Sequence, residues 1–268
     1  MLKYNILQSR DSIQVRILRR CRSYFRRVKT TLLRSRVVIS EYGILMVENW
    51  GDTTFKYCAN GNYGNFFSQF IKNMDNEFVF VDVGANQGLY TIIAAQNPKC
   101  TTCLSFEPVS STFSLLVENL ALNQCQDKVR AVNVGVSGKS GRRQIRVFPG
   151  HSGAASLSHH KPSDVVESVD MVDWTKIESM MGEGGEIILK VDTEGSEFDV
   201  ICEFANTQHF GRIEYVYYEV DERWVDGDSI GDYLKERGFQ SFLRVGTGAH
   251  FDVLASRKQD LSILHTVI

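Results

Sequence analysis

From residue 78 onward, short apolar runs alternate with segments of helix length. FVFVDV (78–83), CLSFEP (103–108), VRAVNVGV (129–136), EIILKVD (186–192), IEYVYYEV (213–220), FQSFLRV (239–245) and HFDVLAS (250–256) read as strands. LYTIIAAQ (89–96), STFSLLVENLALN (111–123), SEFDVICEF (196–204) and SIGDYLKERG (229–238) read as the helices between them. Strands that are apolar almost throughout are buried on both faces, and strand–helix alternation builds a parallel sheet with helices on each side. The pattern therefore predicts a doubly wound, mostly parallel α/β sheet. No helix separates the last two runs, which predicts a hairpin and so one antiparallel strand near the C-terminus.

Upstream the pattern changes. In residues 12–35, Leu18, Cys21, Phe25, Val28 and Leu32 fall at alternating steps of three and four, an apolar stripe among arginines. Such a basic amphipathic helix can lie on an anionic membrane, dock a partner protein, act as a targeting leader, or pack on its own domain. The β-branched, alternating stretch 37–58 (VVISEYGILMVENW, then TTFKYC) reads as a strand or hairpin, and NGNYGN as a loop before the core. The predicted organisation is a basic helical segment (1–36), a lead-in of hairpin and helix (37–75), one catalytic domain (76–258) and a tail (259–268).

Charge sharpens this division. Eleven of the 30 Lys and Arg lie before residue 37, against one of the 32 Asp and Glu, so residues 37–268 carry 19 basic and 31 acidic side chains, a net of −12. An acidic domain argues against nucleic acid as a partner, because phosphate recognition needs clustered Lys and Arg. No run of 18 apolar residues predicts a membrane span, and arginines 16, 19, 20 and 22 interrupt any secretory core. The expected location is cytoplasmic, with peripheral membrane or partner contact through residues 12–35. The six cysteines are scattered, and the single C-x-x-C, Cys100 and Cys103, lacks the second pair that a zinc site needs, so buried thiols are expected.

Three segments carry candidate chemistry. In FVFVDVGANQG a strand ends at Asp82 and turns through Gly84, Asn86 and Gly88 into a helix, where glycine allows close approach of a ligand to the backbone. A dinucleotide turn would show G-x-G-x-x-G, and the acidic Asp82 favours a cationic ligand over a pyrophosphate. Glu107 ends the next strand 19 residues beyond Gly88, where doubly wound folds place the carboxylate that receives ribose hydroxyls. In EIILKVDTEGSEFDVI a buried strand delivers Asp192, Glu194 and Glu197; Glu197 falls in the first helical turn, which leaves Asp192 and Glu194 as the functional candidates.

VDVGANQGLYT, SFEP, GHSGAASL, LKVDTEGSEFDVI and YYEV together resemble the FkbM-type S-adenosylmethionine (SAM)-dependent methyltransferases over about residues 78–256. The resemblance implies a seven-stranded Rossmann-like (class I methyltransferase) sheet and SAM as cofactor. It also implies donor binding by Asp82, Gly84, Asn86, Gly88 and Glu107, and a small-molecule or glycan acceptor methylated on a hydroxyl. Displacement at a sulfonium methyl needs alignment and a base for the hydroxyl proton. Asp192, Glu194 and His151, in a glycine- and serine-rich loop, are the candidates; His159, His160 and His250 are weaker ones. Asp192, Glu194 and Glu219 would also suit magnesium or calcium, but the spacing does not demand an ion and no metal is expected. The segments 142–168 and 224–228 are expected to cover the site as loops, with Trp224 or Tyr218 against a sugar ring. A nicotinamide-dependent oxidoreductase and a SAM-binding scaffold without turnover are the competing readings.

Overall fold

The computed structural model describes residues 5–7, 36–157 and 165–259. The predicted basic helix over 12–35, His159 and His160 lie outside them, as does the tail beyond residue 259.

The central sheet is built from β4 (Phe78–Val83), β5 (Cys100–Phe106), β6 (Val129–Val132), β10 (Glu186–Val191), β11 (Ile213–Asp221), β12 (Ser241–Val245) and β13 (His250–Ser256). Their spatial order is β12-β13-β11-β10-β4-β5-β6, and every pairing is parallel except those of β13, which is antiparallel to both neighbours. These are the seven strands and the one antiparallel strand expected. An eighth, β1 (Asn5–Leu7), adds parallel to β12 at the edge, and β2 (Val37–Ile39) pairs antiparallel with β3 (Leu45–Val47) in a separate hairpin.

Alternation within the strands sorts the core into two layers. Phe78 and Phe80 of β4, Ile188 of β10 and Tyr215 and Tyr217 of β11 face one layer, with α1 (Thr53–Asn60), α2 (Asn65–Lys72) and α3 (Leu89–Gln96). Leu116 and Leu120 of α4 (Ser110–Leu122) join the same layer. Val79, Val81, Leu189, Val216 and Tyr218 face the other, against α5 (Trp174–Met180), α6 (Glu197–Ala205) and α7 (Gly227–Glu236). With a period of two, Asp82, Lys190, Glu219, His250 and Asp252 fall on the first face, at or near the strand ends that border the site.

Two segments differ from the sequence-based expectation. TTFKYC is helix, not strand: the Asp52 carboxylate accepts from the Phe55 N–H at 2.8 Å, and Gly61 closes the helix at φ +65°. Capping thus outweighs the β-propensity of two threonines and a phenylalanine. The segment expected to be loop after Arg142 contains an antiparallel ribbon, β8 (Gly141–Val147) with β9 (Val165–Val172), which β7 (Gly135–Val136) joins through β9. Its two long strands are mostly exposed; Ile145, Val169 and Met171 are buried, packing on Val109, and Val172 is buried in the second layer.

Candidate active site

The chain runs from β4 outward to β5 and β6, then returns to β10 on the other side of β4. Ligands of doubly wound sheets bind at such a reversal, beyond the carboxyl ends of the strands. Here a cavity of about 460 Å³ opens between the β4 and β10 ends. Gly84 turns at φ +79°, Asn86 at +50° and Gly88 at +90°. The Gly84 and Ala85 N–H groups both donate to the Phe106 carbonyl at 3.0 Å, which ties the turn to β5.

Glu107 closes this half. One carboxylate oxygen accepts from the Asn86 N–H at 2.9 Å and the other from the Val109 N–H at 3.0 Å, so a single side chain fixes the two loops that border it. Burial pushes the Glu107 carboxyl up to about 7, against these two N–H groups, which favour the charged form. Phe106, Pro108, Val136, Ile145 and Met171 line an apolar slot beside it. Sequence reading missed the slot because half of it comes from the unrecognised ribbon.

Asp82 does not line the cavity. It pairs in register with Lys190, and both side chains are buried. The Lys190 ammonium lies 3.2 Å from Asp82 and 3.4 Å from Asp192, and donates to the Gly84 carbonyl at 2.7 Å. Thr91 donates its hydroxyl to the second Asp82 oxygen at 2.7 Å. Burial alone would lower the Lys190 ammonium, but Asp82 and then Asp192 outweigh it and hold it above the ordinary lysine range. The expected direct contact between Asp82 and a cationic ligand is therefore corrected: Lys190 takes up that charge, and Asp82 anchors the lysine that positions Gly84 and Asp192.

A second anchor comes from the lead-in segment. The Asp52 carboxylate accepts from the Gln87 side-chain amide (3.0 Å), the Ser152 N–H (2.7 Å) and the Ser152 hydroxyl (3.0 Å). It thereby joins α1, the glycine turn and the loop of His151. Ser152 also reaches the Asn86 side chain at 3.0 Å, so His151 is carried at the cavity wall beside the glycine turn.

The other half of the cavity is acidic. Asp192, Glu194 and Glu219 each place a carboxylate oxygen within 4.8 Å of the others. Glu197 is separate: it is buried and accepts from the Thr193 and Gly195 N–H groups at 2.9 and 3.1 Å, folding the turn that holds Glu194 at φ +56°. Two carboxylates of the trio are balanced from within. Asp192 has Lys190 and the Tyr63 hydroxyl at 3.0 Å, and Glu219 has His250 Nε2 at 2.6 Å. Burial, then the charges of Glu219, Asp192 and Glu197, push Glu194 up to about 8, so near neutrality it holds a proton.

Tyr63 and the Glu219–His250 pair complete the site, and the sequence did not bring them together. Tyr63 lies in the NGNYGN loop, 129 residues from Asp192. Trp224 is exposed, its Cβ 3.8 Å from where a Cβ on Gly195 would stand, beside the turn bearing Glu194. Tyr218 is fully buried in the sheet, out of reach of a ligand. Cys100 and Cys103 are buried thiols, their sulfurs 3.5 Å apart.

These titrations carry a sign. The folded state raises Glu107 and Asp252 to about 7 and Glu194 to about 8, mainly by burial. It raises His250 to about 9, chiefly through Glu219. The folded protein then binds more protons than the unfolded chain between about pH 4.5 and 9. The melting temperature of the ligand-free protein is therefore expected to fall steadily from pH 5.5 to pH 9; calorimetric scans showing a constant or rising value would contradict these environments.

The residues present fit an adenosyl group with a cationic amino-acid arm: an apolar slot, a carboxylate at its edge, a glycine turn and a carboxylate at the β10 end. Comparison with known proteins agrees. The model of the methyltransferase FkbM domain matches residues 82–241. Methyltransferase 1 of Beauveria bassiana (strain ARSEF 2860) is 26% identical over 184 residues, 62% of this chain and 73% of that protein. Methyltransferase sdnD of Sordaria araneosa is 26% identical over 222 residues, 71% of this chain and 85% of that protein. Among solved structures, the METTL16 methyltransferase domain superposes with a TM-score of 0.48 at 10% identity, covering 88% of this chain and 92% of that one. With the family model spanning more than half of its length, the chain belongs to the FkbM family of SAM-dependent methyltransferases.

Proposed function

We propose that the enzyme transfers a methyl group from SAM to a hydroxyl of a sugar, carried by a glycolipid or another small molecule. The observation that supports this most is the acidic half of the cavity. Asp192, Glu194 and Glu219 converge there beside the Tyr63 hydroxyl, and the nearby cations are already held, Lys190 by Asp82 and Asp192 and His250 by Glu219. Neutral polyols offer several O–H donors to such acceptors, whereas an anionic acceptor would be repelled. Exposed Trp224 beside this rim offers a face for a sugar ring.

SAM, when bound, supplies an electrophilic methyl group on a sulfonium. The chain's own residues do the rest. Glu107 would hold the ribose hydroxyls, the slot of Phe106, Val136, Ile145 and Met171 the adenine, and Gly84 and Asn86 the turn beneath. Asp192, fixed by Lys190 and Tyr63, would face the cationic arm; Glu194 and Glu219 would orient the acceptor hydroxyl. Alignment of oxygen, methyl and sulfur in a dry cavity is the main catalytic demand.

A screen of methyl glycosides with SAM, read as gain of one methyl by mass, tests the acceptor class. Methyl ethers on glycosides support it. Transfer only to amines or carboxylates, or SAM binding with no transfer to any acceptor, would overturn it, the latter in favour of a donor-binding protein without turnover.

A further inference from the structure

The antiparallel pairing of β11 with β13 sets Glu219 opposite Asp252 and Asp221 opposite His250. Residues two apart share a face, so Glu219, His250 and Asp252 project together toward the cavity end of the sheet. Glu219 is buried, whereas the His250 side chain is 58% exposed, and both line the cavity. Their contact is 2.6 Å, from His250 Nε2 to Glu219 Oε1. An ionised carboxylate only accepts, so this contact places the hydrogen on Nε2 and leaves Nδ1 as the free position of the neutral ring.

The other candidate bases are less suited. The Asp192 carboxylate is already engaged by the Lys190 ammonium and the Tyr63 hydroxyl. Glu194 sits on the turn at φ +56°, with no hydrogen bond to its carboxyl among the described residues. His151 sits in the loop clamped to Asn86 and Gln87 through Ser152, at the glycine-turn wall of the cavity. A histidine oriented by a buried carboxylate and open to the reaction chamber has the arrangement that general-base catalysis uses.

We propose that His250, oriented by Glu219, is the base that removes the acceptor proton: Nδ1 takes it while Nε2 stays bonded to the carboxylate. The inference rests on the sugar-hydroxyl reading for its acceptor. In the transfer the acceptor oxygen bonds to the methyl carbon, and the carbon–sulfur bond breaks with its electron pair going to sulfur. The hydroxyl proton passes to His250, leaving an imidazolium beside the Glu219 carboxylate. The exposed edge of the ring then releases it to water. Glu219 acts through His250 and is a positioning residue.

Carboxyl groups face the ring: Glu219, Asp221 and Asp252 act on it directly, and Asp192 and Glu194 stand beside Glu219. Asp221 is also held by Arg223. The hydrogen bond to Glu219 raises His250 to about 9, against its partial burial, so the neutral base appears as pH rises toward that value.

The test combines an NMR titration of His250 in the full chain with pH profiles of kcat/KM on the best methyl glycoside from the screen. In the wild type the ring should titrate near 9, and in Glu219→Gln near the ordinary value of about 6.5. The wild-type kcat/KM should climb about tenfold per pH unit below that midpoint, and the limb should move with it in Glu219→Gln. His250→Gln should lose about 10²- to 10⁴-fold in kcat and the limb itself, while S-adenosylhomocysteine (SAH) affinity stays within about threefold as evidence of folding. An unchanged His250 midpoint in Glu219→Gln, or an intact limb in His250→Gln, overturns the dyad. If SAH binds but no glycoside is methylated, the acceptor reading fails, and the NMR midpoint alone decides the dyad.

Discussion

Replacing Lys190 by methionine is expected to lower the stability of the protein by about 3–5 kcal/mol, the usual cost of removing one partner from a buried ion pair. The cost lies in what remains. Asp82 would be left in the sheet interior without its counter-charge, with Thr91 as its hydroxyl donor, and the Gly84 carbonyl would lose its donor. For a domain of this size each kcal/mol shifts the midpoint by about 2–4 °C, so a drop of roughly 6–20 °C is expected in a thermal scan. The pair can be separated from simple packing. Lys190→Met combined with Asp82→Leu removes both charges, and an apolar pair of similar volume often recovers the loss. Recovery of most of the melting temperature in the double variant, with methyl transfer still impaired because Asp192 has lost its anchor, is the expected outcome. A double variant as unstable as the single one would mean that Lys190 matters for its shape rather than its charge.

Gly84→Ala should be nearly as damaging, for a different reason. A Cβ at this position would stand 1.9 Å from the Asp192 carbonyl oxygen, and the backbone sits at φ +79°, where side chains are strained. The obstacle is main chain, held by the bond from the Asp192 N–H to the Val83 carbonyl at 3.1 Å, so it cannot swing aside. Left-handed strain of about 1–2 kcal/mol adds to overpacking of about 1–3 kcal/mol, giving roughly 2–5 kcal/mol. Any relief must part β4 from β10 at the point where donor and acceptor halves meet. Displacement of about 1 Å there can cost roughly 100-fold in methyl transfer. A Gly84→Ala protein with unaltered melting temperature and turnover would show that the approach of these two strand ends is not what the site depends on.

The glycine-turn half of the cavity was the more legible part. The glycine turn and Glu107 are local marks, each at a strand end, and their 19-residue separation follows from one helix and one strand between them. LKVDTEGSE identifies the β10 end, although Lys190, the residue that organises it, drew no attention there. A lysine inside an apolar strand was itself the signal, because a buried ammonium requires a buried carboxylate, and Asp82 was the available one. That exchange also explains why Asp82 was misread as a ligand contact: the sequence shows the charge but not the cross-strand register that neutralises it.

The acidic half was less legible because its parts are distant along the chain. Glu219 and His250 meet through an antiparallel register across 31 residues, and Tyr63 reaches Asp192 from a loop before the first strand of the matched domain. Neither contact has a local pattern. The ribbon of β8 and β9 escaped for another reason: it buries one face over only a few residues, so β8 is mostly arginine and polar positions and β9 mixes exposed valines with carboxylates.

The most direct test of the donor pocket is calorimetric titration with SAH of the wild type and Glu107→Ala, with NADH as control ligand. Saturable binding of SAH in the micromolar range is expected, with no comparable heat from NADH. Loss of hydrogen bonds to a charged acceptor, about 1.5–3 kcal/mol, should weaken the Glu107→Ala complex by roughly 10- to 100-fold. Absence of SAH binding by the folded wild type, or a preference for NADH, would contradict the account.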